Sequence, residues 1–140
     1  MDRSLSKLAR EQLQQVLSQR IQALYRDRLG HQPTKVTCQL FDDKLAIVIE
    51  GSVTRSEQLL LKKGQSELAE QVHSDLDEAI QPQLEQLIAE AMNVPAIDLL
   101  SDSTLETGRT GIIAVLAAVP QLASPCSTPK AVSPDSIPPR

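Results

Sequence analysis

Apolar residues in the first part of the chain recur every three or four positions, the spacing of one stripe on an α-helix. The pattern predicts a helix over residues 5–29, ended by Gly30 with Pro33 just beyond it. The predicted stripe consists of Leu5, Leu8, Leu13, Val16, Leu17, Ile21, Leu24 and Leu29. A helix of this kind suits packing against a sheet.

Two short segments, 35–41 and 45–50, are rich in Val, Ile and Leu and flank the polar residues 42–44. This arrangement predicts a β-hairpin. In the second strand the larger aliphatic residues alternate onto one face, while Ala46 and Val48 lie on the other. Both faces of the sheet are therefore expected to be at least partly covered.

Helical signals return after the hairpin. Thr54 and Glu57 have the spacing of a capping box, and Gly64 is expected to end the short helix that they open. The next helix is predicted to stop at Asn93 and to kink or break at Pro82. Its predicted apolar ridge has a four-residue step: Leu68, Val72, Leu76, Ile80, Leu84, Ile88 and Met92.

Residues 96–100 and 110–119 are predicted as two further strands joined by the polar loop 101–109. The order α-β-β-α-α-β-β predicts an α+β fold in two layers, an antiparallel four-stranded sheet with helices on one face. This domain is expected to span residues 1–120. Residues 121–140 are rich in Pro and Ser and are predicted to form a disordered tail.

Composition narrows the classes of function. The net charge is −4 and the only aromatic residues are Tyr25 and Phe41, so binding of nucleic acid is not expected. Cys38 and Cys126 suggest neither a disulfide framework nor a metal site. The start of the chain lacks the apolar core of a signal peptide, and no apolar run reaches the roughly 20 residues of a membrane span. We therefore expect a cytoplasmic protein without a transmembrane segment, with peripheral attachment to a membrane left open.

Charge is distributed unevenly along the chain. The first helix is mainly basic, whereas residues 65–106 contain acidic residues and no Lys or Arg. These charges can pair within the fold, or they can orient a charged protein partner and raise its association rate. Opposite charges on separate helices are also compatible with a homodimer. The candidate partner-binding residues are Arg10, Arg20, Arg26, Arg28, Asp75, Glu78 and Glu85.

The densest group of polar residues lies in the predicted loop between the last two strands. Hydroxyl and carboxylate side chains followed by glycine can form a nest for a small ligand, with an arginine to hold an anion. The same residues are typical of a turn whose short side chains bond to their own backbone. The candidate ligand-binding residues are Asp102, Ser103, Thr104, Thr107, Gly108 and Arg109.

Other groups of polar residues give weaker signals of a functional site. His73 and Asp77 are spaced to meet on one helical face, which fits either two metal ligands or a solvated pair. No further His or Cys stands at a metal-ligand spacing, so we expect no metal and no cofactor. Asp42 and Asp43 are interpreted as turn residues. The sequence contains no nucleophile elbow, P-loop or dinucleotide fingerprint, and we predict no catalytic residues and no enzymatic activity.

Three segments give the chain a resemblance to a known family: DDKLAIVIEGSVTRSEQLLLKKGQSEL, IQPQLEQLIAEAMNV and DSTLETGRTGIIAVL. In their order and spacing they resemble the MpsC-like domains of bacteria, over roughly residues 8–119. The resemblance implies a small soluble domain associated with a bacterial system for sodium or bicarbonate movement and membrane-potential generation. It supplies no catalytic residues.

The expected function is that of a non-enzymatic protein-interaction domain, an accessory component of such a transport system. The alternative is a sensor of a small ligand or anion that uses residues 102–109.

Overall fold

The computed structural model describes residues 3–121 and has the predicted α+β architecture. The predicted tail, apart from Gln121, and Cys126 lie outside the described residues. Within them, no helix combines the length and hydrophobicity needed to cross a bilayer. The elements are α1 (Arg3–Leu29), β1 (Lys35–Phe41), β2 (Lys44–Glu50), α2 (Arg55–Lys62), α3 (Ser66–Met92), β3 (Ala96–Thr104) and β4 (Arg109–Leu116).

The four strands form one antiparallel sheet in the order β1-β2-β4-β3. Alternate residues of β1, β2 and β4 are buried, because side chains in a strand point to opposite faces in turn. The buried residues form one aliphatic core with α1 and α3. Its fully buried members include Leu17, Ile21, Leu45, Ile47, Ile49, Ile88 and Leu116.

The opposite face of the sheet was expected to be partly covered. Instead, apolar side chains on three adjacent strands are exposed there: Val48 by 41%, Ile113 by 38% and Leu100 by 61%. All the described helices that pack on the sheet lie on its other side. The outward face of the sheet is therefore open within residues 3–121.

The capping box predicted at α2 is present. The Glu57 N–H donates to Thr54 Oγ1, and the Glu57 carboxylate accepts from the Thr54 N–H. Helix α2 ends at Lys62, and Gly64 follows with a φ of 75°. This turn reverses the chain, so that α2 packs against the first half of α3.

Helix α3 continues through Pro82, which is exposed, so the break predicted there as one alternative is wrong. The other alternative, a kink at Pro82, stays a prediction. The predicted four-residue ridge is also wrong at its start, where Leu68 is 49% exposed and Ala69 and His73 are buried instead. A four-residue step turns about 40° per repeat around a helix, so one straight face cannot hold the whole ridge.

The last hairpin is longer than predicted. Strand β3 continues to Thr104 and β4 begins at Arg109, which leaves a turn closed by a hydrogen bond from the Gly108 N–H to the Thr104 carbonyl (2.8 Å). Residues 101–104 are therefore strand rather than loop. Their hairpin partners include Thr110, which lies opposite Ser103.

Candidate functional site

Buried polar side chains gather where α2, α3 and the β3–β4 hairpin meet. Glu57 is 0% exposed, His73 is 6% exposed, and Ser52 and Thr110 are also buried. A carboxylate and an imidazole are rarely buried in an aliphatic domain unless each has hydrogen-bond partners. The contacts of this group supply those partners.

Glu57 is held by both of its carboxylate oxygens. Oε1 accepts from the Thr54 backbone N–H (2.9 Å) and from the Thr54 hydroxyl (2.7 Å). Oε2 is hydrogen-bonded to Nδ1 of His73. The carboxylate therefore caps its own helix with one oxygen and orients the imidazole of α3 with the other.

The second imidazole nitrogen faces the sheet. His73 Nε2 lies 2.8 Å from Ser103 Oγ and 3.4 Å from Asp77 Oδ2. Ser103 is in place because Leu99, Ser101 and Ser103 alternate onto the inner face of β3, opposite the buried residues of β4. Near the hairpin this face meets His73 instead of aliphatic side chains, so a hydroxyl is accommodated there.

A row of hydroxyl groups continues from Ser103 across the sheet. Ser103 Oγ lies 2.8 Å from Thr110 Oγ1, which lies 2.8 Å from Ser52 Oγ. Ser52 Oγ lies 3.2 Å from the carbonyl oxygen of Gly108. The cluster is thus a continuous hydrogen-bonded network from the start of α2 to the β3–β4 turn.

An open cleft of about 770 Å³ lies beside His73 and Ser103, between α3 and the end of the last hairpin. Its size is in the range of small-ligand sites. No Lys or Arg is among the described residues that line it. The acidic residues that line it are Glu70, Asp77, Glu78, Asp102 and Glu106.

The surroundings of Asp77 in the cleft change the pKa of its carboxyl group. Burial raises the pKa of this carboxyl group above its usual range, an effect that the nearby imidazole of His73 opposes and the carboxylate of Glu57 reinforces. Asp77 therefore takes up a proton more readily in the folded chain than in water.

The contacts of Glu57, His73 and Ser103 have the order of an orienting acid, a base and a hydroxyl nucleophile. The surroundings are less suited to that chemistry. An acyl-transfer reaction builds negative charge on an oxygen, and the carboxylates lining the cleft repel that charge. The same carboxylates favour a cationic group.

Of the six predicted ligand-binding residues, Asp102, Ser103 and Thr104 line the cleft together, whereas Thr107, Gly108 and Arg109 do not line it. Ser103 faces His73, whereas the Arg109 guanidinium points to Glu50, with Nε 3.7 Å from Oε1. The Thr104 and Thr107 hydroxyls bond to each other. Thr107 and Gly108 line a separate shallow cavity of about 370 Å³. An anion site on this loop stays a prediction, to which the acidic cleft lends no support.

The predicted partner-binding residues are spread over the helical layer. Arg20 pairs with Glu90 across α1 and α3 (3.1 Å), and Arg26 bonds to its neighbour Asp27 (3.1 Å). Glu78 lines the cleft. Four others are exposed: Arg10, Arg28, Asp75 and Glu85.

The predicted pairing of His73 with Asp77 is present. His73 also bonds to Glu57 and to Ser103, and neither of these residues was identified from the sequence as its partner. No cluster of three or more His, Cys, Asp or Glu residues suited to a metal ion occurs in the described part of the chain.

Comparison with curated proteins and with solved structures found no significant match. The sequence model of one family, described as "Na+-translocating membrane potential-generating system (MpsC)", matches residues 9–118. These residues include every strand, α2, α3, the whole Glu57–His73–Ser103 network and the acidic cleft. The chain belongs to the MpsC family.

Proposed function

We propose that this chain is a non-enzymatic, cytoplasmic protein-binding domain that serves a Na+-translocating, membrane-potential-generating system as an accessory component. The family description supports the association with such a system. The cleft beside His73 supports binding as the activity, because it is open and polar and lies between α3 and the last hairpin.

One observation carries the choice of partner chemistry: five carboxylate side chains line the cleft, and no Lys or Arg is among its described lining residues. A Lys- or Arg-rich segment of a partner protein matches this charge. Electrostatic attraction would speed its association and set its orientation more than it would raise affinity. The network beneath the cleft keeps His73 and Ser103 in fixed positions and so preorganises the floor on which the segment rests.

The ion pairs within the fold are consistent with an acidic cleft that binds a basic partner. Arg20 is already engaged with Glu90, so part of the basic charge of α1 neutralises α3 within the fold. Glu70 and Glu78 have no such partner among the described contacts and remain exposed at the cleft. The uncompensated acidic charge is therefore concentrated at the cleft end of α3.

A fluorescently labelled oligolysine peptide tests the proposal. We expect saturable binding that weakens steeply as salt is raised from about 50 mM to about 300 mM, since exposed charges are screened over this range. Neutralising the cleft with Glu70→Gln and Glu78→Gln should lower the affinity. The matched control is Glu85→Gln, an exposed acid of α3 that does not line the cleft. Equal loss with the control variant, or no binding at low salt, would refute the cleft as the binding site.

A second candidate function is favoured by the geometry of Ser103, whose Oγ lies 2.8 Å from His73 Nε2. In an ester hydrolase, Ser103 Oγ would attack the carbonyl carbon while His73 takes its proton. The alcohol would leave with that proton, and water would then release the acid from the serine.

A fluorophosphonate probe distinguishes the two functions, because it labels activated serines covalently. Labelling that is lost in Ser103→Ala and kept in Ser101→Ala would establish the hydrolase, since Ser101 lines the same cleft without a bond to His73. The binding proposal predicts no labelling of either variant or of the parent.

A further inference from the structure

The open face of the sheet has a regular pattern of large and small side chains. In one row, Val48 of β2 lies beside Gly111 of β4. In the next row, Ala46 of β2 lies beside Ile113 of β4. Each of these two middle rows thus holds one projecting side chain and one shallow position, and the order is reversed from one row to the next.

We propose that a second copy of this chain covers this face, with a two-fold axis that runs parallel to the strands between β2 and β4. Such an axis keeps each row opposite the same row and exchanges β2 with β4. Ile113 then rests on Ala46 of the second copy, and Val48 rests on Gly111 of the second copy. Both projecting side chains fill a shallow position, as in the interdigitated core of a β-sandwich.

The charges at the two edges of the face agree with the same axis. The edge strand β1 carries Lys35, whereas the outward residues of the other edge strand, β3, include Asp98 and Asp102. On the central strands, the axis places Glu50 of β2 opposite Arg109 of β4 in the second copy. Since the axis also exchanges β1 with β3, it brings the acidic edge of one copy towards the basic edge of the other. An axis perpendicular to the strands would place like edges together instead.

The size of the face sets the strength of the contact. A four-stranded face with strands about 4.8 Å apart and about 24 Å long covers roughly 450 Å² per copy. Stable complexes bury about 800 Å² per partner. The dimer is therefore expected to be weak, with a dissociation constant in the micromolar range.

Gly111 provides a sensitive test. Its φ is not positive, and a Cβ added to it would meet no atom of the same chain within 4 Å. Nothing within the described fold therefore requires glycine there, and a β-branched residue should suit the strand better. In the proposed dimer the same position receives Val48 of the second copy, so a larger side chain would clash.

Sedimentation velocity of the full chain from about 1 µM to about 1 mM measures the equilibrium. We expect the parent to dimerise, and Gly111→Val to raise the dissociation constant about tenfold or more by removing a central packed contact. At a protein concentration low enough to keep both proteins monomeric, the melting temperature of Gly111→Val should be equal to or above that of the parent. Adding Val48→Ala to Gly111→Val should restore part of the dimerisation, because it shortens the opposing side chain.

The matched control is Leu59→Ser, which removes an equally exposed apolar side chain from α2, away from the sheet. It should leave dimerisation unchanged. A parent that stays monomeric over the whole range would overturn the proposal. So would a dimer that tolerates Gly111→Val and Ile113→Lys, since that dimer would use another surface.

Discussion

Replacing Glu57 by alanine tests the buried network most directly. The substitution removes the acceptor of two Thr54 donors and the partner of His73 Nδ1, and the carboxylate that it deletes is fully buried. Thr54 Oγ1 still accepts from the N–H of residue 57, but the two bonds from Thr54 to the carboxylate are lost, at about 1 kcal/mol each. Leaving the buried imidazole nitrogen without its partner adds about 1–3 kcal/mol, so the total is about 3–5 kcal/mol.

Urea denaturation followed by circular dichroism gives the change in free energy of unfolding. Glu57→Gln keeps the size and one carbonyl oxygen for Thr54, and the imidazole can present an acceptor to the new amide, so its cost should be only about 1–2 kcal/mol. The surface control Glu85→Ala should stay within about 0.5 kcal/mol of the parent. If Glu57→Ala costs no more than that control, the network does not stabilise the fold and our reasoning fails.

Three further outcomes follow from individual contacts. Because burial raises the pKa of Asp77, its negative form is disfavoured in the fold, so Asp77→Asn should be more stable than the parent at about pH 7.5. The gain should shrink as the pH falls towards the ordinary Asp pKa of about 3.9, where the carboxyl group is protonated in both the folded and the unfolded chain. A loss of stability at the higher pH would mean that attraction to the imidazole dominates. Burial also raises the pKa of the Cys38 thiol and shields it from solvent. In a variant that lacks Cys126, the reaction of Cys38 with a thiol reagent should therefore be slow until urea unfolds the chain. At Gly51, where φ is 71°, an added Cβ would lie 2.7 Å from Thr34 Oγ1, so alanine should cost about 1–3 kcal/mol. The open Gly30 provides the control, and alanine there should cost less.

The elements that the sequence predicts well are those whose signal is local. The bounds of β1 match because its buried residues alternate without interruption, and the start of α2 matches because Thr54 and Glu57 form a cap within one turn. Strand β3 was predicted to end at residue 100, since polar residues follow. Those residues continue the strand because the inner face there meets His73, a condition that only the packed helices create.

The candidate site was visible only in part for the same reason. His73 and Asp77 are four residues apart, so their contact follows from helical geometry alone. The bond between His73 and Glu57 joins two helices through the turn at Gly64 and depends on tertiary packing. The sequence did contain a signal for His73, because its position lies on the side of α3 that faces the core. A correct prediction of the hairpin register would also have placed Ser103 opposite Thr110.

The row of hydroxyls between His73 and the Gly108 carbonyl has a directional property, because each hydroxyl carries one hydrogen and can donate only once. Since Ser52 donates to the Gly108 carbonyl, a complete row requires that Ser52 accept from Thr110, which in turn accepts from Ser103. The three hydrogens then all point from the helix towards the hairpin turn, and no hydroxyl can reverse its bond unless its neighbours rotate as well.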